Sequence, residues 1–152
     1  MKTFRDTWKI AAALAPALAL AACATAEEAV VEKLAETYNA ELTGAQVVGG
    51  GDPDGSGKAE ISISDNMDQI CYDVGNIHNI GPVTSVMIHR GAPGTDGPGV
   101  LTMKQANEGG WKGCTSRKEW LEDSIDKNFA SYYVLIHTSD YPNGALRGQL
   151  HQ

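Results

Sequence analysis

The stretch from Tyr132 to Leu150 constrains the chain most. Tyr132-Tyr133-Val134-Leu135-Ile136-His137-Thr138 is β-branched and aromatic, which suits a pleated, half-buried surface. Pro142-Asn143-Gly144 then combines a fixed φ with residues that tolerate positive φ, so the chain reverses. Side chains alternate across a strand. Tyr133, Leu135 and His137 therefore share one face, and Tyr132, Val134 and Ile136 share the other. On the return strand Leu146, Gly148 and Leu150 face one way and Ala145, Arg147 and Gln149 the other. A histidine and an arginine thus sit on strands that are otherwise mostly apolar.

Residues 1–22 read as a targeting segment. Lys2, Arg5 and Lys9 make a positive start, and Ile10 to Ala22 is an Ala/Leu-rich run too short for a permanent bilayer span. The run ends in Leu20-Ala21-Ala22-Cys23, which resembles the lipobox of bacterial lipoproteins, where the cysteine is acylated and becomes the new N-terminus. The expectation is lipid on Cys23, a tether over residues 23–37 and a folded domain over residues 38–152, in the cell envelope facing the periplasm or the cell surface. The alternative is an ordinary secretory peptide cut near Ala22-Cys23-Ala24.

Lipid on Cys23 leaves Cys71 and Cys114, which can pair in an oxidising compartment. Free thiols and a metal site are the alternatives, although neither cysteine stands in a Cys-x-x-Cys spacing. Loss of Lys2, Arg5, Lys9 and Asp6 with the leader leaves 9 basic against 18 acidic residues. So acidic a chain is not a nucleic-acid binder, and it is not suited to docking on anionic headgroups by charge.

Along the remainder, Ala40 to Val48 reads as a first strand. Gly49 to Gly57 reads as a loop. Lys58 to Ser64 places Ala59, Ile61 and Ile63 inward, and Gln69 to Val74 does so with Ile70, Tyr72 and Val74; a turn at Asp65-Asn66 makes them a hairpin. Asn76 to Gly81 reads as loop, Val83 to His89 as strand, Arg90 to Gly99 as a second Gly/Pro loop, and Val100 to Met103 as a short strand. The segment with Trp111 and Cys114 reads as irregular. Ser116 and Glu119 form a capping box, followed by a helix from Lys118 to about Lys127 with Trp120, Leu121 and Ile125 as its apolar side. The whole predicts an all-β, antiparallel Greek-key sandwich or barrel, immunoglobulin-like or superoxide-dismutase-like, with one short helix.

Three segments resemble the chordin-type (CHRD) domain family. Ala40-Glu41-Leu42-Thr43-Gly44-Ala45-Gln46 is similar to its opening motif. Met87-Ile88-His89-Arg90-Gly91 with Gly94 and Gly97-Pro98 is similar to its His-Ile-His-x-Gly segment. Val134 to Thr138, with Pro142, Gly144 and Arg147-Gly148-Gln149-Leu150, is similar to its closing motif. The chain departs from the pattern at Met87, where the family has a histidine, at Ala45-Gln46-Val47, and at Ala145. The resemblance implies an all-β domain found in bacterial envelope proteins and animal chordins; it does not imply growth-factor antagonism, and it brings no established activity. It also singles out Thr138, Arg147 and Gln149 as motif residues.

For chemistry, Met87 and His89 share a strand face, and His137 joins them if the two strands are neighbours. Two imidazoles and a thioether suit copper as Cu(I). The competing reading makes His137 and Arg147 structural, bonded to backbone carbonyls. Asp52-Pro53-Asp54-Gly55-Ser56-Gly57 lacks the terminal carboxylate of a calcium loop and reads as a solvated turn. No catalytic residues stand out. The leading reading is a lipid-anchored, non-enzymatic envelope module that binds an unidentified envelope protein or ligand, or supports the cell surface. The alternative is a copper-binding, copper-delivery or dismutase-like metal protein.

Overall fold

The computed structural model describes residues 35–64, 67–116 and 119–152. The leader, Cys23, most of the tether and the Asp65-Asn66 turn lie outside these. Eight strands run as β1 (Glu36–Thr43), β2 (Ser56–Ser64), β3 (Gln69–His78), β4 (Val83–Arg90), β5 (Gly99–Thr102), β6 (Trp111–Ser116), β7 (Tyr132–Thr138) and β8 (Leu146–Gln149). One helix, α1 (Glu119–Asn128), precedes β7. The strands form one antiparallel sheet in the order β5-β4-β7-β8-β1-β2-β3-β6, curled into a half-barrel.

The curl gives the sheet an inner and an outer face, and the alternation of the sequence sorts side chains between them. The core takes Tyr38, Ala40 and Leu42 from β1, the predicted triplets of β2 and β3, Val86 and Ile88 from β4, and Tyr132, Val134 and Ile136 from β7. Leu121 and Ile125 of α1 are fully buried in the same core. Burying side chains of this size stabilises the fold by about 1.5–3 kcal/mol each relative to exposure. Tyr38 ties the helix to the sheet. Its ring lies 5.2 Å from that of Phe129, and its hydroxyl is 2.8 Å from both Glu36 Oε2 and Asp126 Oδ1. Burial, then the two carboxylates, drive the Tyr38 phenol well above its ordinary value.

Several expectations need correction. β1 begins two residues earlier than the predicted domain start and ends at Thr43, not Val48. Gly44 to Gln46 turn as a short 3-10 helix, because the Asp52 backbone approaches Gly44 so closely that any Cβ there would collide with it. β3 runs on through the expected loop to His78. The segment at Trp111 is a regular strand, β6, paired with β3 from Gln69↔Ser116 to Val74↔Trp111. Ser116 is therefore a strand residue. The expected capping box spans residues 117 and 118, which lie outside the described ones. Trp120 is 54% exposed and does not join the apolar side of α1.

The predicted disulfide is present. Cys71 and Cys114 stand directly opposite one another in the β3–β6 ladder, and their sulfurs are bonded.

Candidate functional site

The outer face of β4, β7 and β8 carries the residues of interest. β7 lies between β4 and β8, with Met87 opposite Leu135, His89 opposite Tyr133, Leu135 opposite Arg147, and Tyr133 opposite Gln149. These pairs follow from the period-2 pattern: each is the outward partner of a core residue one position away. Val47, Tyr133 and Leu135 form a small buried cluster on this face, separate from the main core.

Arg147 organises the cluster. Its side chain is among the largest that are fully enclosed, at 2% exposure. Nη2 donates to the carbonyls of Ala92 (3.0 Å) and Thr95 (3.1 Å) and to Gln149 Oε1 (3.1 Å). Nη1 donates to the Gln46 carbonyl at 3.3 Å. The guanidinium carbon lies 3.9 Å from the centre of the Tyr133 ring, a cation–π contact. Gln149 Nε2 donates in turn to the carbonyls of Gly91, Ala130 and Tyr132 at 2.8–2.9 Å. The two motif side chains thus clamp the 91–98 loop onto the sheet. Thr138 has a local role: it is buried, and its Oγ1 accepts from the Tyr141 backbone N–H at 3.1 Å, starting the turn to β8.

The clamped loop fixes His89. Its Nδ1 is 2.9 Å from the Gly97 carbonyl, and its ring stacks on Tyr133 with centres 5.1 Å apart. The Tyr133 hydroxyl accepts from the Gly97 N–H at 3.1 Å, so one residue holds both the ring and the loop. His137 Nδ1 is likewise 3.0 Å from the Pro142 carbonyl, supplied by the turn it precedes. A carbonyl oxygen only accepts, so each Nδ1 carries the proton and, in the neutral ring, each Nε2 is left with a bare lone pair. Both Nε2 atoms are buried and have no hydrogen-bond partner. The two rings stand 6.1 Å apart, tilted by 40°.

Met87 reaches the same place. A Cβ added to Gly99 would lie 2.5 Å from Met87 Cε and 3.6 Å from His89 Nε2, so thioether and imidazole edge meet beside this glycine on β5. The structure therefore brings Met87, His89 and His137 onto one face and leaves the Nε2 of each histidine without a partner. His137 also bonds to backbone, as a purely structural histidine does; its Nδ1 meets that description and its Nε2 does not. Tyr133, Gln46 and Gly99 escaped the reading of site residues. For Tyr133 the signal was available, because it shares the face of Leu135 and His137. For Gln46 and Gly99 nothing local in the sequence announces the contact. Among the described residues no group of three or more His, Cys, Asp or Glu could hold a metal ion. The Asp52–Gly55 segment is a turn in which Asp52 Oδ1 accepts from the Asp54 N–H, and Ser56 and Gly57 already belong to β2. His78 and His151 are exposed and stand apart from the cluster.

Burial pushes His89 below its ordinary value of 6.5, with His137 and Arg147 acting in the same direction and the Gly97 carbonyl and Asp96 opposing. The unfolded chain therefore takes up this proton at a higher pH than the folded one. The stability contributed by neutral His89 is complete above pH 6.5 and is lost as pH falls through the depressed folded value. Urea unfolding of the metal-free protein at a series of pH values checks this: stability should fall below 6.5, and less steeply in His89→Gln, which keeps a donor but does not titrate.

A family model described as the CHRD domain matches residues 38–150. The chain belongs to the CHRD domain family. Searches of curated proteins and of solved structures found no match.

Proposed function

We propose that this CHRD domain is a non-enzymatic binding module, tethered to the cell envelope by lipid on Cys23, and that what it binds is a metal ion seated on the outer face of β4 and β7. One observation carries the binding role: two neighbouring imidazoles, each oriented by a backbone carbonyl on Nδ1, each with a buried and unpartnered Nε2. Proteins orient metal-ligating histidines in this way, with the second nitrogen fixed by an outer partner. An idle pair of buried lone pairs costs free energy, and a bound cation would offset that cost. The anchoring half rests on the sequence. Leu20-Ala21-Ala22-Cys23 closes an apolar run, and the Cys71–Cys114 bond leaves Cys23 as the remaining cysteine.

Two measurements test the two halves. The full chain in detergent, dialysed against Cu, Zn and Ni salts and washed, should retain one ion, and His137→Ala should retain none. An empty wild-type chain would overturn the binding role. Cys23→Ser should move the protein from the membrane pellet to the soluble fraction or leave it unprocessed. Continued fatty-acid labelling of that variant would overturn the anchor.

A further inference from the structure

We infer that the ion is monovalent copper, held by His89 Nε2, His137 Nε2 and the Met87 thioether in a three-coordinate site that Gly99 keeps clear. This rests on reading the outer face as a metal seat, and adds the ion's identity, its third ligand and the residue that admits it.

The spacing fits. One ion bonded to two imidazole nitrogens at about 2.0–2.1 Å places the ring centres roughly 5–6 Å apart. The rings of His89 and His137 stand at 6.1 Å, so a small inward shift brings them to that spacing. The donor set selects among ions. Zinc favours four ligands from thiolate, imidazole and carboxylate, or three with an open position. Among the described residues no third group of that kind joins the two histidines. A thioether is a soft donor, matched to Cu(I) and poorly matched to Zn(II) or to hard cations. Met87 is two residues from His89 on the same face, and its terminal methyl and the Nε2 edge of that ring both flank Gly99.

Gly99 supplies the room. It is paired with His89 across β4 and β5. A side chain there would press on Met87 Cε and stand 3.6 Å from His89 Nε2, where the ion would be approached. Gly99 does not sit at positive φ, so alanine fits its backbone and the strand can form. Gly99→Ala therefore tests the seat without removing a ligand.

The experiment uses the full chain in detergent under anaerobic conditions, with ascorbate-reduced copper and bicinchoninate as competing chelator. One Cu(I) per chain is expected, with X-ray absorption showing one sulfur and two nitrogen neighbours. Met87→Leu, close in volume, should weaken Cu(I) binding on the order of 10–100-fold and remove the sulfur neighbour. Gly99→Ala should also weaken it. Zn(II) should fail to displace Cu(I). If Zn(II) binds as tightly and Met87→Leu changes nothing, the metal seat stands and the Cu(I) assignment is overturned. Unchanged affinity in Gly99→Ala, with the parent's melting temperature, overturns the role of Gly99. If neither ion binds, the seat and its copper both fall.

Discussion

Arg147→Ala is expected to lower the free energy of unfolding by about 3–4 kcal/mol. The side chain is 2% exposed, so truncation strands the carbonyls of Gln46 and Thr95 and the Oε1 of Gln149, while the Ala92 carbonyl keeps its bonds from the Thr95 N–H and hydroxyl. Each buried acceptor left unpaired costs about 1–3 kcal/mol, and partial collapse or entering water recovers some of that. The cation–π contact with Tyr133 is lost as well. Arg147→Lys should recover little, because one ammonium cannot span acceptors arranged around a planar fork. Urea melts of parent and variants give the comparison. A variant that melts like the parent would remove Arg147 from the structural account and make it a ligand contact to be retested.

The double variant Cys71→Ser/Cys114→Ser is expected to lose about 4 kcal/mol, the chain entropy of closing a loop of this length. The two cysteines are 43 residues apart in sequence. Their bond crosses the β3–β6 ladder, and β6 is an end strand of the sheet with β3 as its neighbour. Its removal should also raise hydrogen exchange at β6 amides more than at β7, which is paired on both sides. Equal exchange in parent and variant at β6 would show that the ladder holds without the bond.

The parts legible in the sequence were those set by local alternation. In β2, β3, β4 and the closing hairpin the inward assignments follow from period 2 and the structure keeps them, while Ser64, expected outward, is buried and Ala145 joins the main core instead of the face of Arg147. β6 was missed because Trp111-Lys112-Gly113-Cys114-Thr115-Ser116 offers few β-branched residues and no apolar face. It is half-exposed on alternate positions and takes its strand form from β3, a partner at long range. Trp120 was misplaced because helical spacing alone does not say where the sheet stands relative to the helix. At the candidate site, the residue types and the shared face of Met87 and His89 could be read directly. The side-by-side placement of β4 and β7 could not, since 41 residues separate Arg90 from Tyr132 and no local signal sets that pairing. The same holds for the carbonyls of Gly97 and Pro142, whose orientation decides which imidazole nitrogen is left bare.

The pairing of β8 with β1 reaches beyond static packing. The last strand enters between β7 and β1, and His151 exchanges backbone bonds with Asn39. In a chain delivered N-terminus first, β1, β2 and β3 can form a meander early. The edge of β1 that receives β8 stays open until Leu146–Gln149 emerge, and so does the acceptor cage awaiting Arg147. Closure therefore waits on contacts of the longest sequence separation, which are slow to form. Loss of β8 would part β5-β4-β7 from β1-β2-β3-β6 in the strand order. The sheet thus stays in two parts until the Leu146–Gln149 strand is made.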